Sequence, residues 1–144
     1  MSLQAQRLFL LILWLLIPPV MAQQQELTTA DRSAIQAVIE RQLEAFRRDD
    51  AAGAFAFASP MIQAKFGSPE NFLLMVQTAY PAVYRPQHVA FKDLRVADGM
   101  PIQQVFLIAP DGVPVMALYM MEKQPDGVWK IDGCYLKTFK DERL

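Results

Sequence analysis

The run Val113-Pro114-Val115-Met116-Ala117-Leu118-Tyr119-Met120-Met121-Glu122-Lys123 decides the fold. It is apolar in both phases of a strand: Val115, Ala117, Tyr119 and Met121 share one phase, and Met116, Leu118 and Met120 share the other. Such a strand belongs in the middle of a sheet, covered on both faces. The turn signals Pro110-Asp111-Gly112 and Pro125-Asp126-Gly127 bracket it and predict antiparallel hairpins on both sides. Working outward, they join it to strands over about Ile102–Ile108 and Val128–Thr138. A fourth strand, about His88–Val96, carries Val89 and Phe91 on one phase but Leu94 and Val96 on the other. That phase change predicts a bulge near Lys92-Asp93, and bulges bend sheets.

Upstream of the strands the periodicity is helical. Thr28 followed by Asp31 makes a partial capping box, and Ile35, Val38, Ile39, Leu43 and Phe46 then recur at spacings of three and four, opposite a charged face. Asp49-Asp50 end that helix and cap a shorter one with a narrow stripe of Ala51, Ala54, Phe55 and Ala58. Met61–Phe66 has the pattern for one further turn. Gly67-Ser68-Pro69-Glu70 then starts a third helix, which buries Phe72, Met75, Val76 and Ala79 and is ended by Pro81. The expectation is an α+β fold: three N-terminal helices packed on a bent antiparallel four-stranded sheet, the long helix across its concave face, forming a cone.

The order of elements resembles the nuclear transport factor 2-like superfamily, also described as SnoaL-like or cystatin-like. More narrowly, Ala30 to Pro60, Val83-Tyr84-Arg85-Pro86 and Trp129-Lys130-Ile131-Asp132-Gly133-Cys134 resemble a bacterial exported domain-of-unknown-function family. The resemblance covers about residues 30 to 136. It implies the cone fold and no particular activity, because the superfamily contains isomerases, dehydratases and cyclases beside pure binding and assembly modules.

The N-terminus reads as a signal peptide over residues 1–22: Arg7, the apolar run Leu8–Ile17, then Pro18-Pro19-Val20-Met21-Ala22. The run is well short of the ~20 residues a spanning helix needs. Cleavage between Ala22 and Gln23 is expected, with export to the periplasm or outside the cell. The membrane is then met only in transit; the alternative is an uncleaved anchor that tethers the domain to it. Residues 23–27 form a short polar lead, 28–139 a single domain, and 140–144 a polar tail. The formal net charge of −1 offers no basis for binding nucleic acid or an anionic surface. A single cysteine, Cys134, excludes an intramolecular disulfide.

Few residues invite chemistry. His88 is the one histidine and a weak candidate base, sited at a loop-to-strand junction. Asp132, on the last strand, is the other weak candidate; its phase opposes Trp129, Ile131 and Tyr135, so aromatics facing the cone would turn it outward. Tyr84 and Arg85, with Tyr80, group between the last helix and the sheet, where they reach a ligand or brace the architecture. Gln104 interrupts an apolar phase and is the preferred polar group of a pocket, with Tyr119 and Trp129 as further ligand contacts. Met116 and Met120 share a face that Met121 does not, which argues against a copper site, and Cys134 reads as a buried, inert thiol. No phosphate loop, nucleophile elbow or paired-cysteine motif is present in the sequence. No metal or cofactor is expected.

The leading functional expectation is a non-enzymatic binding or accessory domain whose cone holds a small apolar or amphipathic ligand, or whose sheet pairs with a second copy. The alternatives are a lyase or isomerase acting by proton abstraction from Asp132 or His88, and a protein-partner module using the exposed sheet face.

Overall fold

The computed structural model describes residues 26–139. The expected signal peptide with its cut at Ala22-Gln23, the start of the polar lead and the polar tail lie outside the described residues.

The helix α1 (Thr29–Arg47) begins at Thr28, whose hydroxyl accepts from the Asp31 N–H at 3.0 Å while the Asp31 carboxylate accepts from the Thr28 N–H at 3.0 Å. That reciprocal pair satisfies two of the donors a helix start leaves open. Ile35, Val38, Ile39, Leu43 and Phe46 are buried, as their spacing requires. Helix α2 (Ala51–Ala56) is capped by the Asp50 carboxylate on the Gly53 N–H, and its Ala54 is fully buried. Helix α4 (Pro69–Ala79) starts at Ser68, and Phe72 and Val76 form its buried stripe, whereas Ala79 is exposed.

Two further helices correct the expected three. Pro60–Phe66 is a complete short helix, α3, because Ser59 caps it, Pro60 sits at its first position and Gly67, at φ 77°, closes it. Pro81 ends α4 as expected, the helix stopping at Ala79, and it also starts α5 (Pro81–Tyr84), since its fixed φ suits a first helical position as well as a break.

The strands β1 (His88–Ala97), β2 (Met100–Ile108), β3 (Pro114–Lys123) and β4 (Trp129–Thr138) form one antiparallel sheet in the order β1-β2-β3-β4. Both Pro-Asp-Gly segments turn as expected, with the Asp111 and Asp126 carboxylates accepting from the N–H two residues on. The β1–β2 turn at Asp98-Gly99, both at positive φ, was not among the expected turns although Asp-Gly is a favoured pair for it. The expected bulge is present, with the register shifting between Phe91 and Leu94. A second shift, between Met120 and Met121, leaves Asp132 as the extra residue on β4.

The helices lie on one face. There Val105, Leu107, Val115, Ala117, Tyr119, Met121, Trp129 and Ile131 join the α1 stripe, Phe72 and Val83 in one core. The opposite face of β3 is not covered as expected. Met116, Leu118 and Met120 are only half-buried, and Tyr135 beside them is 64 % exposed. Among the described residues, that face has ring contacts from His88 and Phe139 onto Phe106. The architecture is thus the expected α+β cone, closed by helices on one side.

Candidate ligand cavity

Ser59 is where the helical layer is fastened to the sheet. Its N–H donates to the Ile131 carbonyl at 2.8 Å, and the Ile131 N–H returns a bond of 2.8 Å to the Phe57 carbonyl, so the α2–α3 link pairs briefly with edge strand β4. The Ser59 hydroxyl, fully buried, donates to Asp132 Oδ1 at 2.6 Å. Above this junction α3 and α4 stand away from the strands and leave a cavity of about 310 Å³. Phe46, Phe72, Val76, Val83, Tyr119 and Ile131 form its buried depth. Met61 and Lys65, both exposed, stand at its rim on α3.

The polar groups of the depth are neutral. Burial raises the Tyr119 hydroxyl well above its ordinary pKa, with a smaller contribution from Cys134, and burial pushes the Cys134 thiol up to about 12. The Tyr119 side chain is 1 % exposed, yet its hydroxyl has no hydrogen-bond partner. The Cys134 thiol is its polar neighbour, and the contact between the two raises the hydroxyl and lowers the thiol. Tyr80, half-buried at the same cavity, also has its hydroxyl raised, by burial and by the neighbouring cysteine.

The bulge corrects the expected direction of Asp132. One extra residue switches the phase of β4, so that Ile131 and Cys134 face the helices while Tyr135 turns away, and Asp132, between them, lines the cavity. A Cβ at Gly133 would press on the Met120 methyl, the flexible end of a half-buried side chain that can give way. Among the described residues, Asp132 and Lys65 are the charged side chains of the lining, and no hydrogen bond reaches Asp132 Oδ2.

The other expected site residues do not converge on this cavity. Gln104 pairs across from Leu118 on the far face of the sheet. Its neighbour Gln103, only 4 % exposed, points inward instead and donates to the Lys92 carbonyl at 3.0 Å, thereby satisfying the first bulge. His88 is exposed on that same far face, edge-on to Phe106. Tyr84 and Arg85 brace the α1 terminus: the Tyr84 hydroxyl and Arg85 Nη2 both donate to Asp49, and Arg85 Nη1 donates to the Phe46 carbonyl. Asp49, held at φ 52°, has its carboxyl lowered by the Tyr84 hydroxyl and the Arg85 charge. Trp129 is buried away from the cavity, its Nε1–H donating to Asp31 at 3.1 Å. Of the proposed ligand contacts, Tyr119 lines the cavity, as does Tyr80 from the group with Tyr84 and Arg85. Gln42, Phe46, Phe72 and Val76 complete its helical wall; their helix stripe was legible, but not that it faces a void. No group of three potential ligating side chains that could hold a metal ion occurs among the described residues. Nor is any described helix long and apolar enough to cross a membrane.

An α+β cone with one largely apolar cavity between its helices and sheet is the class these features define. The chain belongs to the family described as Domain of unknown function (DUF4864), whose model matches residues 28–144. Among solved structures it is similar to ActVI-ORFA from Streptomyces coelicolor at 10% identity and a TM-score of 0.49, over 79% of this chain and 98% of that one. No curated protein sequence matches it.

Proposed function

We propose that the domain is a non-enzymatic binding module, working after export, that holds a small apolar or amphipathic ligand in the cavity between α1, α3, α4 and the sheet. The supporting observation is the cavity itself: about 310 Å³, walled by phenylalanine, methionine and aliphatic side chains. Its size falls at the lower end of the ~300–1,000 Å³ typical of ligand pockets. Its charged groups are one carboxylate already engaged by Ser59 and one lysine at the exposed rim. Native mass spectrometry of the protein purified from its own host, without denaturation, tests the reading. A retained small-molecule mass is the expected result; a ligand-free species that also fails to take up small apolar compounds overturns it.

A second reading, proton abstraction from a bound ligand, is favoured by one detail. Asp132 is held by Ser59 through Oδ1 and has Oδ2 free of hydrogen bonds, a fit arrangement for a base. Deuterium incorporation into a bound ketone in D₂O, lost in Asp132→Asn, is its signature. Equal incorporation in both proteins removes it.

A further inference from the structure

We infer that a groove between the first turns of α1 and the bulge of β1 binds a short acidic segment of a partner polypeptide. The groove encloses about 610 Å³ and shares no lining residue with the cavity, so the inference is independent of the binding reading above. Arg32 and Ser33 line it from the helix, Lys92 and Arg95 from the strand, and Gln103 from β2.

The cations of this groove are free, whereas most others are engaged. Arg47 and Arg48 pair with Glu44, Arg85 with Asp49 and Lys123 with Asp31, and Lys130 donates to the Ala56 carbonyl. Among the described residues, the side chains of Arg32 and Lys92 have no carboxylate and no hydrogen-bond partner. The nearby acids are already committed: Asp93 is held by Arg95 Nη2 at 3.1 Å, and Glu40 accepts from Gln36 Nε2 at 2.9 Å. In a chain of formal net charge −1, two unpaired positive charges in one groove attract anions there and not to the surface at large.

Gln103 selects among anions. It is 4 % exposed, and its Nε2 is spent on the carbonyls of Gln104 at 2.9 Å, Lys92 at 3.0 Å and Asp93 at 3.4 Å. Those bonds fix the orientation of the amide and leave Oε1, which accepts no hydrogen bond, as the atom it offers the groove. A nearly buried acceptor calls for a donor. A sulfate dianion carries acceptors only and would set them against Oε1. An acidic peptide carries both partners: carboxylates for the Arg32 fork and the Lys92 ammonium, and a main-chain N–H for Gln103. The volume equals the share of about twenty waters, room for about two or three such residues.

The test is fluorescence anisotropy on the purified protein at low salt, with a labelled peptide of consecutive Asp and Glu residues and its Asn and Gln counterpart. The acidic peptide should bind at least about tenfold tighter, and its affinity should fall as salt is added. Arg32→Glu combined with Lys92→Glu should remove that preference, while thermal unfolding stays as in wild type because both side chains are exposed and unpaired. Backbone N-methylation of the probe tests Gln103 without touching the protein: it keeps the charges and should cost about fivefold. Sulfate should displace the peptide no better than chloride at equal ionic strength. Equal binding of the acidic and amide peptides, full affinity in the double variant, indifference to N-methylation, or preferential displacement by sulfate overturns the inference. Absence of any binding at millimolar peptide overturns it as well, and each of these outcomes leaves the cavity reading standing.

Discussion

Two polar groups, each fastened or stranded near the core, divide the molecule by purpose. At the start of α1 the Asp31 carboxylate accepts from the Thr28 N–H at 3.0 Å, the Thr28 hydroxyl at 2.9 Å, Lys123 Nζ at 3.1 Å and Trp129 Nε1 at 3.1 Å. It ties the helix to the β3–β4 hairpin, and the bonds hold its pKa well below the usual carboxylate range, the Thr28 N–H contributing most. In the middle of β3 the Tyr119 hydroxyl, more deeply buried, has only the Cys134 thiol beside it and no well-formed hydrogen bond. A fully partnered polar group is architecture. A buried one with poor partners costs the folded protein stability instead.

Breaking the partnered corner has the largest expected effect. Trp129→Ala empties a buried site and removes one donor to Asp31, and it should lower unfolding stability by about 3–5 kcal/mol, read by urea denaturation. A loss below about 1 kcal/mol would mean that the corner does not hold the hairpin to the helix.

The orphaned group should respond in the opposite direction. Tyr119→Phe removes a hydroxyl that the empty protein cannot satisfy, so the ligand-free variant should gain about 1 kcal/mol in the same measurement. A loss of that size would show that the hydroxyl has a partner, and the contrast with Asp31 would collapse.

The finest test is the shape of a pH profile. Asp31 has a folded pKa lowered from its unfolded value near ~3.9, so its contribution is complete above that value and is lost as pH falls below it. The stability gap between wild type and Asp31→Asn should therefore narrow on acidification from pH ~5 towards ~2. A gap that stays constant would mean the carboxylate is not stabilised by folding.

Much of this was legible in the residues because the signals are local. The capping box at Thr28 and Asp31, the Ser68-Pro69 start and the Pro-Asp-Gly turns each act within a few residues and each formed as read, and β3 took the central place expected of it although one of its faces stayed open. The first bulge was legible too, because both halves of β1 carry enough apolar residues to expose the phase change. The second bulge was not. A single extra residue between Ile131 and Gly133 leaves no compositional trace, and it reversed the expected direction of Asp132. Gln104 failed for a related reason: alternation says which residues share a face, not which face meets the helices.

The sequence by itself determined the order of elements, their caps and turns, and the pairing of strands into a meander, since short-range sterics and hydrogen bonding decide these. The tertiary structure alone decided where the cavity lies, that Tyr119 and Cys134 meet at its wall, that Asp132 joins it, and that Tyr84, Arg85 and Trp129 serve the frame instead. Those outcomes depend on how far α3 and α4 stand from the sheet and on the register of β4 against β3, distances set between residues remote in the chain.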